Sequence, residues 1–201
     1  ADLIDADHFI LSRLALAAQD ADNALEHYRV ADAANIIYSF IWNEFCDWYI
    51  ELVKPRLNEN SPSGIASQAC LVFVLDKALK LLSPFMPYVT EEIWQKIPVS
   101  KATTSIMTAP WPNNLEAYRN ETLENKYRLL QQAVTGLRTI RAESNVSPGK
   151  EISAQVFTQD DTVLSALDEY KDEIKHLAKV TDLELVLGKE TPAQQCSIKV
   201  L

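Results

Sequence analysis

The side chains that most often perform catalysis or bind metals are few in this sequence. It contains three histidines and three cysteines, which are His8, His27, His176, Cys46, Cys70 and Cys196. No pair of histidines has the spacing that places two metal ligands on one helical face, and there is no CxxC pair. No Gly-x-Ser-x-Gly or similar setting marks an activated nucleophile either. We therefore predict no catalytic residue and no metal site.

An aromatic-rich segment between residues 30 and 53 offers a different chemistry, the binding of flat ligands. If the segment is a helix with about 100° per residue, one broad face is largely aromatic and is predicted to be core. That face comprises Tyr38, Ile41, Trp42, Phe45, Trp48, Tyr49 and Leu52. The opposite side carries two apolar residues, Phe40 and Ile50, among polar ones that include Asn43, Asp47 and Lys54.

Phe40 and Ile50 admit two interpretations. In one, a neighbouring helix or loop covers both side chains. In the other, they form a surface on which an unstacked nucleobase packs, while the adjacent polar groups address its edge.

The charge distribution restricts where a nucleic acid would bind. The chain has 19 Lys and Arg residues against 28 Asp and Glu residues, a net charge of −9, which opposes extended contact with phosphates. Residues 126–150 are an exception, because this segment contains five basic residues and a single acid, Glu143, for a net charge of +4. This stretch either contacts phosphate over a limited area or is an ordinary solvated helix face.

Composition and length indicate the general class of protein. With 201 residues, 47% of them hydrophobic, the chain is long enough to bury a core, and its 4 glycines argue against a glycine-rich phosphate loop. The longest apolar run, 70–75, is too short to span a bilayer. The odd, unpatterned cysteines favour a reducing cytoplasm. The chain begins with neither a Met nor a signal peptide, so we expect it to be an excised fragment.

Apolar periodicity predicts a mainly α chain with a change of pattern near its end. Helices are expected over 5–28, 30–53, 65–82, 87–97 and 121–144, with an irregular packed strap over 98–114. Beyond residue 149, alternating apolar residues predict strands at 152–156, 183–187 and 198–200 around a helix at 160–177. This tail would be a small βαββ unit.

Several longer segments resemble one protein family. They are FILSRL at 9–14, WNEFCDWYIE at 42–51 and PFMPYVTEEIW at 84–94. Together they are similar to class I aminoacyl-tRNA synthetases, and the third is shared by the valyl, isoleucyl and leucyl members. Three others resemble the valyl branch in particular: NEFCDWY at 43–49, SIMTAPWP at 105–112 and IRAESNVSPGK at 140–150.

The resemblance implies a fold and a role. Residues 1–118 would be a helical bundle of the class I synthetase anticodon-binding type, lacking its first helix and ending in the strap. Residues 119–201 would be a connecting helix and a small α/β (βαββ) subdomain. The partner would be the anticodon stem-loop of tRNA-Val, with neither DNA nor membrane involved. A monomeric parent enzyme would use ATP with Mg²⁺ in other domains, so the fragment itself would need no cofactor.

The resemblance also implies roles for particular residues. In the family, apolar side chains of the bundle hold the middle anticodon base, and one of them comes from the aromatic helix. The predicted anticodon-binding residues are Ile50, Asn43, Asp47, Lys54 and Phe40, with Ile50 packing on the base. The predicted phosphate contacts are Arg138, Arg141 and Lys150.

Two alternatives stay open. The nearest is the same domain from an isoleucyl or leucyl enzyme. The other is a helical protein-interaction module that docks through its acidic first helix, because residues 2–26 hold six acids and one basic residue, Arg13.

Overall fold

The computed structural model describes residues 3–147 and 149–188. The chain divides into two compact units, one ending at Leu123 and the other beginning at Glu124. The first is entirely helical apart from its loops, and the second combines helices with a small sheet. The prediction of a mainly α fold with a small α/β part is confirmed.

The first unit consists of five α-helices and one π-helical segment before the strap. They are α1 (Asp5–Glu26), α2 (Val30–Ser39), the π segment (Phe40–Tyr49), α3 (Ile50–Val53), α4 (Pro62–Leu82) and α5 (Pro87–Lys96). The α2, π and α3 segments follow one another without a break and form the helix predicted over 30–53. We call this continuous element the aromatic helix.

The start of α4 shows how local sequence determines a helix boundary. The Ser61 hydroxyl accepts a hydrogen bond of 3.1 Å from the Gly64 backbone N–H, and Pro62 occupies the first helical turn. A Cβ atom on Gly64 would lie 2.6 Å from the Glu59 carbonyl oxygen and 2.8 Å from that of Arg56. Glycine is therefore required here by the close approach of the preceding loop.

A buried carboxylate joins three helices of the first unit. Asp7 of α1 accepts hydrogen bonds from the Tyr49 hydroxyl at 2.7 Å and from the Ser67 hydroxyl of α4 at 2.8 Å. The Ile4 backbone N–H donates to the same carboxylate at 3.1 Å. Because Asp7, Tyr49 and Ser67 are all fully buried, each depends on the others for its hydrogen bonds.

The strap, residues 98–114, packs against the helices as predicted. Ile106 is buried with Leu79, Trp94 and Ile97. The Glu91 carboxylate of α5 accepts hydrogen bonds from the Ser105 hydroxyl and the Ile106 backbone N–H, at 2.9 and 2.8 Å.

Beyond Ile106 the chain returns to α1. The Trp111 indole N–H donates to Asp22 at 2.7 Å, and the Asn120 backbone N–H donates to the buried Ser12 hydroxyl at 2.7 Å. The irregular segment is thus held by hydrogen bonds that it donates to side chains of α1. Two single turns of 3₁₀-helix, Ile106–Thr108 and Glu116–Tyr118, interrupt it.

The second unit is built around a parallel pair of strands. Its elements are α6 (Glu121–Glu143, whose first residues belong to the first unit), β1 (Ile152–Thr158), α7 (Asp161–Glu169), α8 (Lys171–Ala178) and β2 (Val180–Leu187). β1 and β2 pair in parallel, with Val156 opposite Leu185 and a register shift between Ile152 and Ser153. The α7 and α8 helices provide the crossover that a parallel pair requires.

The tail differs from its prediction in one respect. The single helix expected over 160–177 is broken at Tyr170, which has φ −110° and ψ 26°. The Tyr170 ring is buried against Tyr127 of α6, with the ring centroids 5.0 Å apart, so packing of this ring accompanies the break. The third predicted strand, at 198–200, lies outside the described residues.

Replacing Tyr49 by Phe tests the buried network. The substitution keeps the ring but leaves Asp7 without one donor, so we expect the free energy of unfolding to fall by about 1.5–3 kcal/mol. Tyr38→Phe is the matched control, since Tyr38 is exposed and its loss should be under about 0.5 kcal/mol. Urea denaturation of both variants measures the difference, and equal losses would contradict the role of Asp7.

Candidate nucleic-acid interface

The middle of the aromatic helix is a π-helix, in which hydrogen bonds join residues five apart. The bond from the Ile50 backbone N–H to the Phe45 carbonyl closes one such turn. The wider turn lets three aromatic residues, Phe40, Phe45 and Tyr49, be buried together. In an ordinary α-helix, residues five apart would diverge by roughly 140° around the axis.

The π turn changes which residues of this helix face the interior. Phe40, predicted to lie on the polar side, is only 1% exposed, so the prediction that it contacts a base is wrong. Tyr38 and Trp42, predicted to be core, are 58% and 56% exposed, and their rings stack in parallel with centroids 6.3 Å apart. These predictions were wrong because they used the α-helical angle of about 100° per residue for the whole segment, including the π turn.

The other predicted anticodon-binding residues are accessible. Asn43, Asp47 and Lys54 are exposed, and Ile50 is partly buried. The Asn43 amide donates to the Ser39 hydroxyl at 3.1 Å, and the Lys54 ammonium lies 3.3 Å from the Glu51 carboxylate. These four residues lie within 12 consecutive positions, three in the aromatic helix and Lys54 directly after its end, so a single ligand can reach more than one of them.

Two interactions with α1 hold this helix in place. The Arg13 guanidinium donates to both Glu44 carboxylate oxygens, at 2.5 and 2.8 Å, in a partly buried bidentate pair. Five residues further on, the Tyr49 hydroxyl is bonded to Asp7. Bidentate pairing fixes orientation as well as distance, so the accessible side of the helix is presented on a rigid support.

The two described cysteines near this helix are not activated for nucleophilic chemistry. Burial raises the pKa of the Cys46 thiol, as does the neighbouring Asp47 carboxylate. Burial raises the pKa of Cys70 to about 12, although a hydrogen bond with Tyr49 acts in the opposite direction. Burial likewise raises the pKa of the Tyr49 hydroxyl far above its ordinary value, so it remains a donor to Asp7. Thiols of this kind stay protonated near neutral pH.

Neither a metal cluster nor a membrane span is found in the described ranges. Residues 3–147 and 149–188 contain no group of three or more His, Cys, Asp or Glu side chains arranged to hold a metal ion. Over the same ranges, every helix is too short or too polar to cross a bilayer.

Arg141 of the second unit has a structural role instead of the predicted contact with phosphate. Its side chain is only 6% exposed. The guanidinium donates to the carbonyls of Ala178 and Lys179 at 3.0 and 2.9 Å, and to those of Ser147 and Lys150 at 3.0 and 2.5 Å. It thereby satisfies carbonyl groups at the end of α8 and after α6 that have no helical partner. The sequence shows the positive charge but not these acceptors.

The other two predicted phosphate contacts lie at the surface. Arg138 is exposed, although its guanidinium also donates to the Leu177 carbonyl at 3.0 and 3.3 Å. Lys150 is exposed, and its backbone carbonyl accepts a hydrogen bond from Arg141. Contact with phosphate remains a prediction for both residues.

Comparisons with known proteins point to one family. Residues 7–157 match the family model described as the anticodon-binding domain of tRNA ligase. The chain is 39% identical over 190 residues to a valine–tRNA ligase of Syntrophotalea carbinolica. The aligned region is 94% of the chain and 21% of that protein. It is 40% identical over 174 residues to the valine–tRNA ligase of Carboxydothermus hydrogenoformans, covering 87% of the chain and 20% of the relative.

A third relative gives the same result over a shorter region. The valine–tRNA ligase of Thermotoga maritima is 43% identical over 150 residues, covering 75% of the chain and 17% of that protein. The chain therefore spans about a fifth of the length of the curated relatives it matches.

Replacing Arg141 by Gln should destabilise the second unit. The substitution removes charged donors from four carbonyls, so we expect a loss of about 2–3 kcal/mol in the free energy of unfolding. Arg128→Gln removes the same charge from an exposed residue and should cost less than about 0.5 kcal/mol. Urea denaturation followed by amide exchange in α8 measures both. A fully stable Arg141→Gln variant with weakened RNA binding would instead restore the phosphate assignment.

Proposed function

The chain belongs to the family of anticodon-binding domains of tRNA ligases, and from this premise we propose that it binds the anticodon stem-loop of tRNA-Val as part of a valine–tRNA ligase. The observation that carries the proposal is the family match over residues 7–157. The valine–tRNA ligases described above favour the valyl branch over the isoleucyl and leucyl branches.

The aromatic helix supplies the surface for this binding. Ile50 packs against an unstacked anticodon base, while Asn43 and Asp47 hydrogen-bond base edges and Lys54 meets a phosphate. Each stacked base is worth about 1–3 kcal/mol in such complexes. Arg138 and Lys150 of the second unit contact the RNA backbone.

The chemistry takes place elsewhere in the proposed parent enzyme. There ATP with Mg²⁺ activates valine, which is then attached to the end of the bound tRNA. This domain contributes affinity for the tRNA and orients it, because binding the anticodon limits the positions that the acceptor end can take. We propose a monomeric, cytoplasmic parent.

The protein-interaction alternative is less well supported by the fold. It relied on the acids of α1 as a docking face. Asp7 is buried in the first unit, and Asp22 accepts the Trp111 hydrogen bond. These two acids hold the domain together, so the face they would offer a partner is much reduced.

Binding of tRNA by the chain should depend strongly on salt. Each phosphate contact contributes roughly −0.7 to −0.9 to the slope of log affinity against log salt, so Lys54, Arg138 and Lys150 together contribute about −2.1 to −2.7. Fluorescence anisotropy with labelled tRNA-Val, between about 50 and 200 mM NaCl, measures the slope. Affinity that does not change with salt would exclude phosphate contact as the basis of binding.

Ile50→Asp in the full-length ligase should separate RNA recognition from chemistry. We expect a rise of about tenfold or more in the KM for tRNA, because a charged side chain replaces the apolar base contact. Valine activation, measured by ATP–pyrophosphate exchange, should be unchanged. Ile93→Asp on α5 is the matched control, since Ile93 is also partly exposed. Equal loss of both activities in the Ile50 variant would indicate misfolding and contradict the assignment.

A further inference from the structure

Three lysines converge near one carboxylate at the C-terminal half of α4. The Lys80 and Lys77 ammonium groups lie 2.8 and 3.3 Å from the same oxygen, Oδ2 of Asp76. The third, Lys101 of the strap, lies 5.4 Å from the centre of the Trp94 ring, and Lys80 lies 6.0 Å from the same centre. We call Lys77, Lys80 and Lys101 the lysine cluster.

The lysine cluster carries more positive charge than its surroundings neutralise. Among the described residues, Asp76 is the one carboxylate at ion-pair distance from Lys77 or Lys80. The Lys101 ammonium donates to a neutral acceptor, the Ile97 carbonyl, at 3.0 Å. The other Asp76 oxygen is occupied by the Trp94 indole N–H at 2.8 Å. Three ammonium groups are therefore balanced by a single carboxylate.

Lys77 and Lys80 also affect the pKa of Asp76. Burial alone would raise the pKa of this carboxyl group. Hydrogen bonds from Lys80 and Trp94, with the charges of Lys80 and Lys77, hold its pKa below the ordinary value. The lysines and Trp94 therefore stabilise the ionised form of Asp76.

Aromatic rings restrict the positions of these lysines. The Lys77 ammonium lies 5.1 Å from the centre of the Phe73 ring, and Trp94 supports the other two. A lysine held in this way has less conformational entropy to lose when it binds an anion. Lys77 and Lys101 are partly exposed, so an anion from solvent can reach them.

A shallow groove adjoins the lysine cluster. It has a volume of about 570 Å³, and its lining includes Phe73, Asp76, Val99 and Ser100. Lys77 and Lys101 each follow a lining residue in the chain. The lining is mostly apolar and includes the Asp76 carboxylate, so the positive charge lies beside the groove and not in its lining. A base can pack on the apolar lining while its phosphate meets the neighbouring lysines.

We propose that Lys77 and Lys101 form a phosphate-binding site for the RNA backbone beside this groove. The site is additional to the aromatic helix and to residues 138–150, and it rests on the proposed tRNA-binding function. Lys80 positions the pair by holding Asp76 and packing on Trp94. RNA is the occupant because the family to which the chain belongs binds RNA, and because its backbone presents phosphates in series.

The test compares two double variants of the whole chain. Lys77→Gln with Lys101→Gln removes the proposed contacts. Lys96→Gln with Lys171→Gln removes the same charge from exposed lysines that each face one carboxylate, Glu92 at 2.6 Å and Asp168 at 3.9 Å. Affinity for labelled tRNA-Val is measured against NaCl concentration by fluorescence anisotropy. Circular dichroism confirms that each variant is folded.

The site predicts a specific change in the salt dependence. The slope of log affinity against log salt should fall in magnitude by about 1.5 in the Lys77 and Lys101 variant, and by less than about 0.5 in the control. Replacing both lysines by Arg should restore the slope, since Arg keeps the charge and binds phosphate well. Equal slopes in the two Gln variants would overturn the site.

Two further outcomes identify which proposal has failed. If wild-type chain binds no tRNA, both the proposed function and this site are wrong. If tRNA binds with an unchanged slope after Lys77 and Lys101 are replaced, only the site is wrong. Competition by inorganic phosphate without any change in that slope would show a site for free anions and would overturn the assignment to RNA.

Discussion

The buried Asp7 carboxylate is the interaction on which the helical unit depends. A carboxylate removed from water is costly unless its oxygens are hydrogen-bonded, and here Tyr49, Ser67 and the Ile4 backbone supply the donors. Because these donors come from three different elements, the requirement fixes α1, the aromatic helix and α4 relative to one another. Apolar packing alone tolerates sliding and repacking, whereas this network has a single satisfied arrangement.

Fixing the aromatic helix in this way decides which of its side chains a ligand can reach. Tyr49 must face Asp7, and the π turn brings Phe45 and Phe40 to the same interior side. Asn43, Asp47 and Lys54 are consequently left at the surface beside the partly buried Ile50. The Arg13–Glu44 pair secures the same helix at a second point. In the proposed function, a rigid surface of this kind would bind a flexible RNA loop without first having to order itself.

Sequence patterns predicted most helix boundaries because the signals there are local. Pro87 marks the start of α5 as predicted, and Ser61 with Pro62 marks the start of α4, three residues before the predicted start at residue 65. These backbone rules need no tertiary information. The assignments of Phe40 and Arg141 failed because they depend on groups distant in sequence. A π turn is visible only once interior packing is known, and the role of Arg141 requires the positions of carbonyls from residues 147 to 179. The sequence does not indicate the lysine cluster, since only the fold brings Lys101 of the strap and Lys80 of α4 to the same Trp94 ring.

The most direct measurement of the central claim is an NMR titration of the labelled chain with the anticodon hairpin of tRNA-Val. A helix that presents Asn43, Asp47, Ile50 and Lys54 to RNA predicts that the largest changes in amide chemical shift cluster within residues 43–54. Side-chain methyl signals of Ile50 should shift as well, because an aromatic base packed on the methyl group changes its local field. Shifts absent from this helix, or confined to the exposed acids of α1, would contradict the claim that the aromatic helix is the RNA-binding element.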